Sequence, residues 1–259
     1  MARIDTLGNF LTDVATAIRN KKGTTDTIPA SDFDTEIDSI ETGGGSTVTK
    51  GLRIDKYDAN GKVTEATFIG DTLPDNYFNS AITPYNFLKN LTLKFTNECK
   101  AIKFNVFSQC TGLKEIKNYD NIIEIATQAF YNCTNLLLDK LPSSLTTLGA
   151  TAFDNCFKIT INSTPQGLKN IPSQAFRGCN AITEMTFEGD ITQISTNAFS
   201  GATKLTKLSF PNNMSVPTLA NINAFQNCPL ETIEVPSSLV DSWKSATNWS
   251  NYADIIVGI

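Results

Sequence analysis

The chain has 259 residues, 41% of them apolar and 18% charged, with a net charge of −5 and a sequence pI near 4.9. An acidic surface with no basic run longer than Lys21-Lys22 repels phosphate, which argues against nucleic acid as the partner. The complete absence of histidine removes the commonest general base and the commonest zinc ligand, so the expectation is a protein that is not an enzyme and carries no cofactor or metal.

Residues 1–42 read as a helical hairpin. Leu7, Phe10, Leu11, Val14 and Ile18 recur at helical spacing and stop at Lys21-Lys22-Gly23. A second helix is expected after Pro29-Ala30-Ser31, with Phe33, Ile37 and Ile40 on one face and Asp32, Asp34 and Glu36 near its positive amino end. A unit of about 40 residues is too small to hide both apolar faces, so these eight residues are the candidate attachment or self-association surface. The start alternates apolar with polar residues and no later run approaches membrane-spanning length, so neither a signal peptide nor membrane insertion is expected. The stretch Leu7 to Arg19 followed by Ile28 to Ile37 is similar to a short module that recurs in tail and fibre proteins of phages. That resemblance implies a virion tail component made in the host bacterial cytoplasm, with other tail proteins and further copies of itself as partners.

Gly43-Gly44-Gly45-Ser46 breaks every pattern, and residues 43–50 are read as a linker. Two extended runs follow, Leu52 to Tyr57 and Val63 to Ile69, joined through Asp58-Ala59-Asn60-Gly61, which is a hairpin signal that puts Lys56 opposite Glu65. The same string is a poor calcium loop, because its first and twelfth ligand positions would be Lys56 and Thr67.

From here a metronome takes over. Phe107, Phe130, Phe153, Phe176 and Phe199 stand 23 residues apart, and three residues after each comes Cys110, Cys133, Cys156, Cys179 or Ala202. Looser copies surround Phe225 with Cys228 and Phe78 with Ala81, so roughly seven coils should stack between residues 70 and 235. Each coil is expected to hold one short strand, such as Glu184 to Phe187, and one helical turn around Ala-Phe-x-x-Cys. The fold class is therefore an α/β solenoid of 23-residue coils with parallel strands, occupying residues 51–259 behind a β-hairpin cap. The unit resembles the leucine-rich repeats of the BspA-like type, with the Ala-Phe-x-x-Cys core intact at Ala129, Ala152, Ala175 and Ala224. The closing segment from Val235 to Tyr252 is similar to the helical tails of such arrays: Ser237 or Ser238 can cap a helix that places Leu239, Val240 and Trp243 over the last coil.

Five of the six cysteines share one repeat offset with Ala202, Cys99 alone lying outside the register, so they are read mostly as small packing groups and not as disulfides or metal ligands. The serines, as at Ser143-Ser144 and Ser237-Ser238, sit at coil corners where turns need hydroxyls. Asp139 and Asn162 stand where other coils have Ile116, Met185 or Leu208 at an inward strand position. Either they form an inward polar notch, or the strands shift to bury Leu138 or Leu141 and Ile161 instead; the shift is favoured. Tyr131, Phe157 and Arg177, just beyond the Phe column, are the candidate recognition residues on the solenoid. The functional expectation is a phage tail-associated structural protein of the fibre, baseplate or tail tip that binds a host-envelope protein or glycan through its repeats. The alternatives are a BspA-like surface or secreted adhesin of bacteria and a purely structural virion component.

Overall fold

The computed structural model describes residues 51–58, 63–75, 77 and 91–259. The attachment face from Leu7 to Ile40, the 43–50 linker, the Asn60-Gly61 turn and the Phe78 turn lie outside the described residues.

In chain order the strands are β1 (Gly51–Tyr57), β2 (Val63–Ile69), β3 (Thr72–Leu73), β4 (Leu91–Phe95), β5 (Ala101–Ile102), β6 (Leu113–Lys117), β7 (Glu124–Ile125) and β8 (Thr147–Leu148). They continue as β9 (Ser163–Thr164), β10 (Asn170–Ile171), β11 (Glu184–Phe187), β12 (Gln193–Ile194), β13 (Lys207–Ser209), β14 (Thr218–Leu219), β15 (Thr232–Val235) and β16 (Ile256–Gly258). Most coils contribute to a front face of mostly longer strands and a back face of two-residue strands. The front face is two sheets, ordered β1-β2-β4-β6 and β9-β11-β13-β15-β16, and the back face is two more, β3-β5-β7-β8 and β10-β12-β14. The first two strands pair antiparallel, with Lys56 opposite Glu65 and their charged ends 3.8 Å apart. β2 then pairs in parallel with β4, so the hairpin continues the front sheet.

The Phe column runs through the middle. Phe107, Phe130, Phe153, Phe176, Phe199 and Phe225 stack ring on ring with successive centroids 5.0, 5.2, 5.7, 5.2 and 5.7 Å apart, within 17° of parallel. All six are buried, and burial of each ring contributes about 1.5–3 kcal/mol.

The third side of the coil differs from the expected helix. Among the described copies only the last, Ile222–Phe225, forms a helical turn, of the tighter 3-10 kind. In the others the backbone is left-handed two residues before and two residues after each Phe: φ is 59° at Gln128 and 57° at Asn132, and 54° at Thr151 and 59° at Asn155. An α-helix cannot pass through such residues. Instead the segment bonds to the next coil. Gln128, Phe130 and Asn132 donate their N–H groups to the carbonyls of Ala150, Ala152 and Asp154, and Thr151, Phe153 and Asn155 donate likewise to Ser173, Ala175 and Arg177. At the later left-handed positions Gly178 and Gly201, with φ of 70° and 77°, adopt the geometry without a Cβ penalty.

This ladder also explains the cysteine slot. All six cysteines are free thiols. The Cys133, Cys156 and Cys179 thiols donate to the carbonyls of Phe107, Phe130 and Phe153 in the preceding coil, at 3.0, 3.0 and 3.1 Å. The slot therefore selects a small group that can also donate a weak hydrogen bond between coils.

The stack ends under an aromatic lid. Trp243, in helix α1 (Val240–Ser245), and Trp249 are fully buried, with ring centroids 4.7 and 5.8 Å from that of Phe210. Leu239 and Val240 pack beside them. Neither Ser237 nor Ser238 caps this helix: the Ser237 hydroxyl donates instead to the Ile259 carbonyl at 3.0 Å, tying the lid to the end of β16.

Candidate ligand groove on the interrupted front face

The front face breaks at one place, between β6 and β9, and the cause is a change in the phase of the buried residues. In the coils of β11 and β13 the buried strand residues are spaced three then two apart: Ile182, Met185 and Phe187, then Leu205, Leu208 and Phe210. In the two preceding coils the spacing is two then three: Leu136, Leu138 and Leu141, then Ile159, Ile161 and Thr164. Asp139 and Asn162 are exposed, so the strand shift prevails over the polar notch. A carboxylate or amide without partners would be costly in the core, and a neighbouring Leu or Ile takes its place. The ladder resumes at Ser163 in the later coil; in the earlier one only a single bridge, Glu115 to Leu137, is made before Pro142 arrives without an N–H.

At this break lies a groove of about 500 Å³ across three coils, with Glu115 to Asp120 on one side, Leu137 to Lys140 along the middle and Lys158 and Thr160 on the other. A second hollow of about 460 Å³ continues it past Lys140 to Ser143, Thr164, Gln166 and Glu188. Lys140 anchors the groove. Its ammonium donates to both Asp120 carboxylate oxygens at 3.0 and 3.2 Å and lies 5.9 Å from the Tyr119 ring centroid. The Tyr119 hydroxyl donates to the Lys140 carbonyl at 3.3 Å. Burial, followed by the charges of Asp139, Asp120 and Glu115, pushes the Tyr119 phenol up to about 12, so it stays a hydrogen-bond donor at neutral pH. Lys117 pairs with Glu115 at 3.3 Å, and Lys158 donates to the Asn135 side-chain oxygen at 2.8 Å. Leu137, 47% exposed, is the apolar patch of the floor.

The residues singled out on the solenoid fall elsewhere. Tyr131 and Arg177 share one repeat offset with Asp154 between them, and both are half-buried. Arg177 grips Asp154, which is 0% exposed, through Nε at 3.0 Å and Nη2 at 2.6 Å. Its guanidinium is thereby committed to holding a buried carboxylate in place. Phe157, 43% exposed, sits at a different offset, just after Cys156. None of the three lines either hollow. Tyr119, Asp120 and Lys140 were not reached by sequence reasoning; the signal available for them was the position of Asp139 beside the phase change. Among the described residues no group of three or more Cys, Asp or Glu side chains could hold a metal ion, and no helix is long and apolar enough to cross a membrane.

The BspA type leucine-rich repeat region model matches in six copies, over residues 80–138, 100–219 and 129–251. The chain belongs to this family. The BspA type matches begin at residue 80 and do not reach the segment 1–42. Among solved structures, a Treponema pallidum leucine-rich repeat protein is similar at 21% identity, over 72% of this chain and 89% of that one, with a TM-score of 0.50. A Bacteroides ovatus leucine-rich repeat protein is similar at 17% identity, over 75% of this chain, with a TM-score of 0.52; the match spans 60% of that protein's length. A search of curated proteins finds no significant match. At these identities the likeness concerns the repeat fold.

Proposed function

We propose that this BspA type solenoid is a non-catalytic adhesion module that presents its front face to a protein or glycan on a cell surface. The observation that carries the reading is the groove itself: a concave, hydrogen-bonding surface set beside the Phe column where the buried residues of the front strands change phase. Lys117, Lys140 and Lys158 are already engaged by Glu115, Asp120 and Asn135, an arrangement suited to holding a ligand and not to activating a nucleophile. Several copies with weak individual contacts would act by avidity.

Family membership supports a surface or secreted adhesin of a bacterium as the setting. A phage tail or tail-fibre setting is the second reading, and the helical spacing of Leu7, Phe10, Leu11, Val14 and Ile18 favours it, because such a face calls for a docking partner. Flow cytometry of the labelled full chain against intact bacteria tests adhesion, and saturable binding is expected. No binding to any strain, as single chains or clustered on beads, would overturn it. Antibody labelling of producing cells and of released particles separates the two settings.

A further inference from the structure

Resting on the adhesion reading, we infer that the groove at the front-sheet interruption is a carbohydrate site and that its ligand is an uncharged oligosaccharide. Three features of the groove lead there.

The first is that the gap between β6 and β9 is already occupied. An extended peptide could join an interrupted sheet only by lying between β6 and β9, and the chain's own segment Leu137 to Lys140 fills that space. Leu137 bridges to Glu115, its N–H donates to the Lys114 carbonyl, and the Leu138 carbonyl accepts from Thr160. A further strand has no room to enter there, so the groups offered to a ligand are the side chains along the hollow.

The second is charge balance. Lys117, Lys140 and Lys158 face Glu115, Asp120 and Asp139, and each lysine already has an anionic or amide partner. Lys158 bonds only to an amide and Asp139 makes no ion pair among the described residues, but the three lysines and three carboxylates cancel, so the lining carries no net charge that would favour an ion of either sign. A hydroxyl both donates and accepts, so it can bridge a lysine and its carboxylate without separating them. Adjacent hydroxyls on a sugar ring offer this bridge repeatedly along a chain.

The third is shape. The two hollows meet at Lys140 and span four successive coils, which suits a linear molecule longer than one ring. The exposed Leu137 gives the C–H face of a sugar an apolar surface beside the polar pairs.

The test is a printed array of glucose, galactose, mannose and N-acetylglucosamine tetrasaccharides beside galacturonate and sialylated oligosaccharides, probed with the labelled full chain. Asp139→Ala and Lys140→Ala are the groove variants, and Glu184→Ala, exposed on β11, is the control. The proposal expects binding to at least one uncharged tetrasaccharide, weakened about tenfold or more by either groove variant, as for one lost charge-assisted hydrogen bond, and unaffected by the control. Unchanged thermal midpoints would show that the variants are folded. Binding confined to the acidic sugars, or indifferent to both groove variants, would overturn the proposal. A chain that binds bacteria but no sugar would also overturn it while leaving adhesion intact; a chain that binds neither would remove both.

Discussion

Phe153→Ala is the sharpest probe of how this array holds together. Phe153 is 0% exposed, and its ring stacks on Phe130 at 5.2 Å and on Phe176 at 5.7 Å. Truncating a buried Phe costs about 3–5 kcal/mol in transfer and cavity terms together, which includes the loss of two ring contacts. Its position makes the consequence unusual. The back face ends at β8 and restarts at β10, and the front face restarts at β9, so both sheets are interrupted next to this coil. The Phe column and the turn ladder are what cross the gap. In a solenoid the stability is a sum of coil and neighbour terms, so weakening the junction that the sheets do not span should uncouple the halves. Both tryptophans, Trp243 and Trp249, lie in the carboxyl-terminal lid, so their fluorescence reports that half alone while far-ultraviolet circular dichroism reports the whole. Urea curves from the two probes should coincide in the parent and separate in Phe153→Ala, with the amino-terminal half melting first. Phe199→Ala, in a coil whose strands β12 and β13 pair on both sides, should lower the midpoint without separating the curves. Coincident curves in Phe153→Ala, or an unmoved midpoint, would refute the junction.

Thr151 is a β-branched residue at φ 54°, where neighbouring coils carry Gln128, Gln174 and Asn197. Thr151→Asn should stabilise the protein by about 0.5–1 kcal/mol, read as a raised thermal midpoint, because Asn tolerates the left-handed region better. Burial pushes the Cys133, Cys156 and Cys179 thiols well above their ordinary range, and Cys228 up to about 12. Below the unfolded-state value near 8.5 these thiols are protonated in both states and contribute no pH dependence; above it the unfolded chain ionises first. Stability should then fall with rising pH by about 1.4 kcal/mol per unit for each buried thiol. A thiol reagent at neutral pH should label these three only at the rate of unfolding, and fast labelling of the native protein would contradict the packing role.

What could be read in advance was whatever repeats. The 23-residue spacing of phenylalanines was enough to place a continuous ring column and parallel strands, and the Asn60-Gly61 turn signal was enough to place the Lys56–Glu65 register. The helical side was misread because Ala-Phe-x-x-Cys has helical spacing over four residues. Asn132, Asn155 and Gly178, two positions after each Phe, carried the opposing signal, since those residue types accept a positive φ. Arg177 was placed among exposed recognition residues because side chains were considered coil by coil. In a stacked array the residue 23 positions earlier is the nearest neighbour, and for Arg177 that is Asp154. The same rule pairs Lys158 with Asn135 and Asn155 with Asn132. The groove was half legible: Asp139 and Asn162 marked the irregular coils, but the hollow arises from the phase of their neighbours, which becomes visible only when successive strands are laid in register.

That phase can be reversed by design, which separates the cause of the groove from its use. Leu138→Glu with Asp139→Leu, and Ile161→Thr with Asn162→Leu, return both coils to the three-then-two spacing of Ile182, Met185 and Phe187. The number of buried apolar side chains is unchanged, so the stability should stay within about 1–2 kcal/mol of the parent. The front face should then run unbroken from β6 to β9, with slower amide exchange at residues 138–141 than in the parent. If binding resides in the groove, the fourfold variant should lose it while keeping its Phe column. A variant that gains the strand and still binds would move the site elsewhere on the solenoid. One that keeps fast exchange at 138–141 would show that Pro142, and not the phase of the buried residues, holds the sheet open.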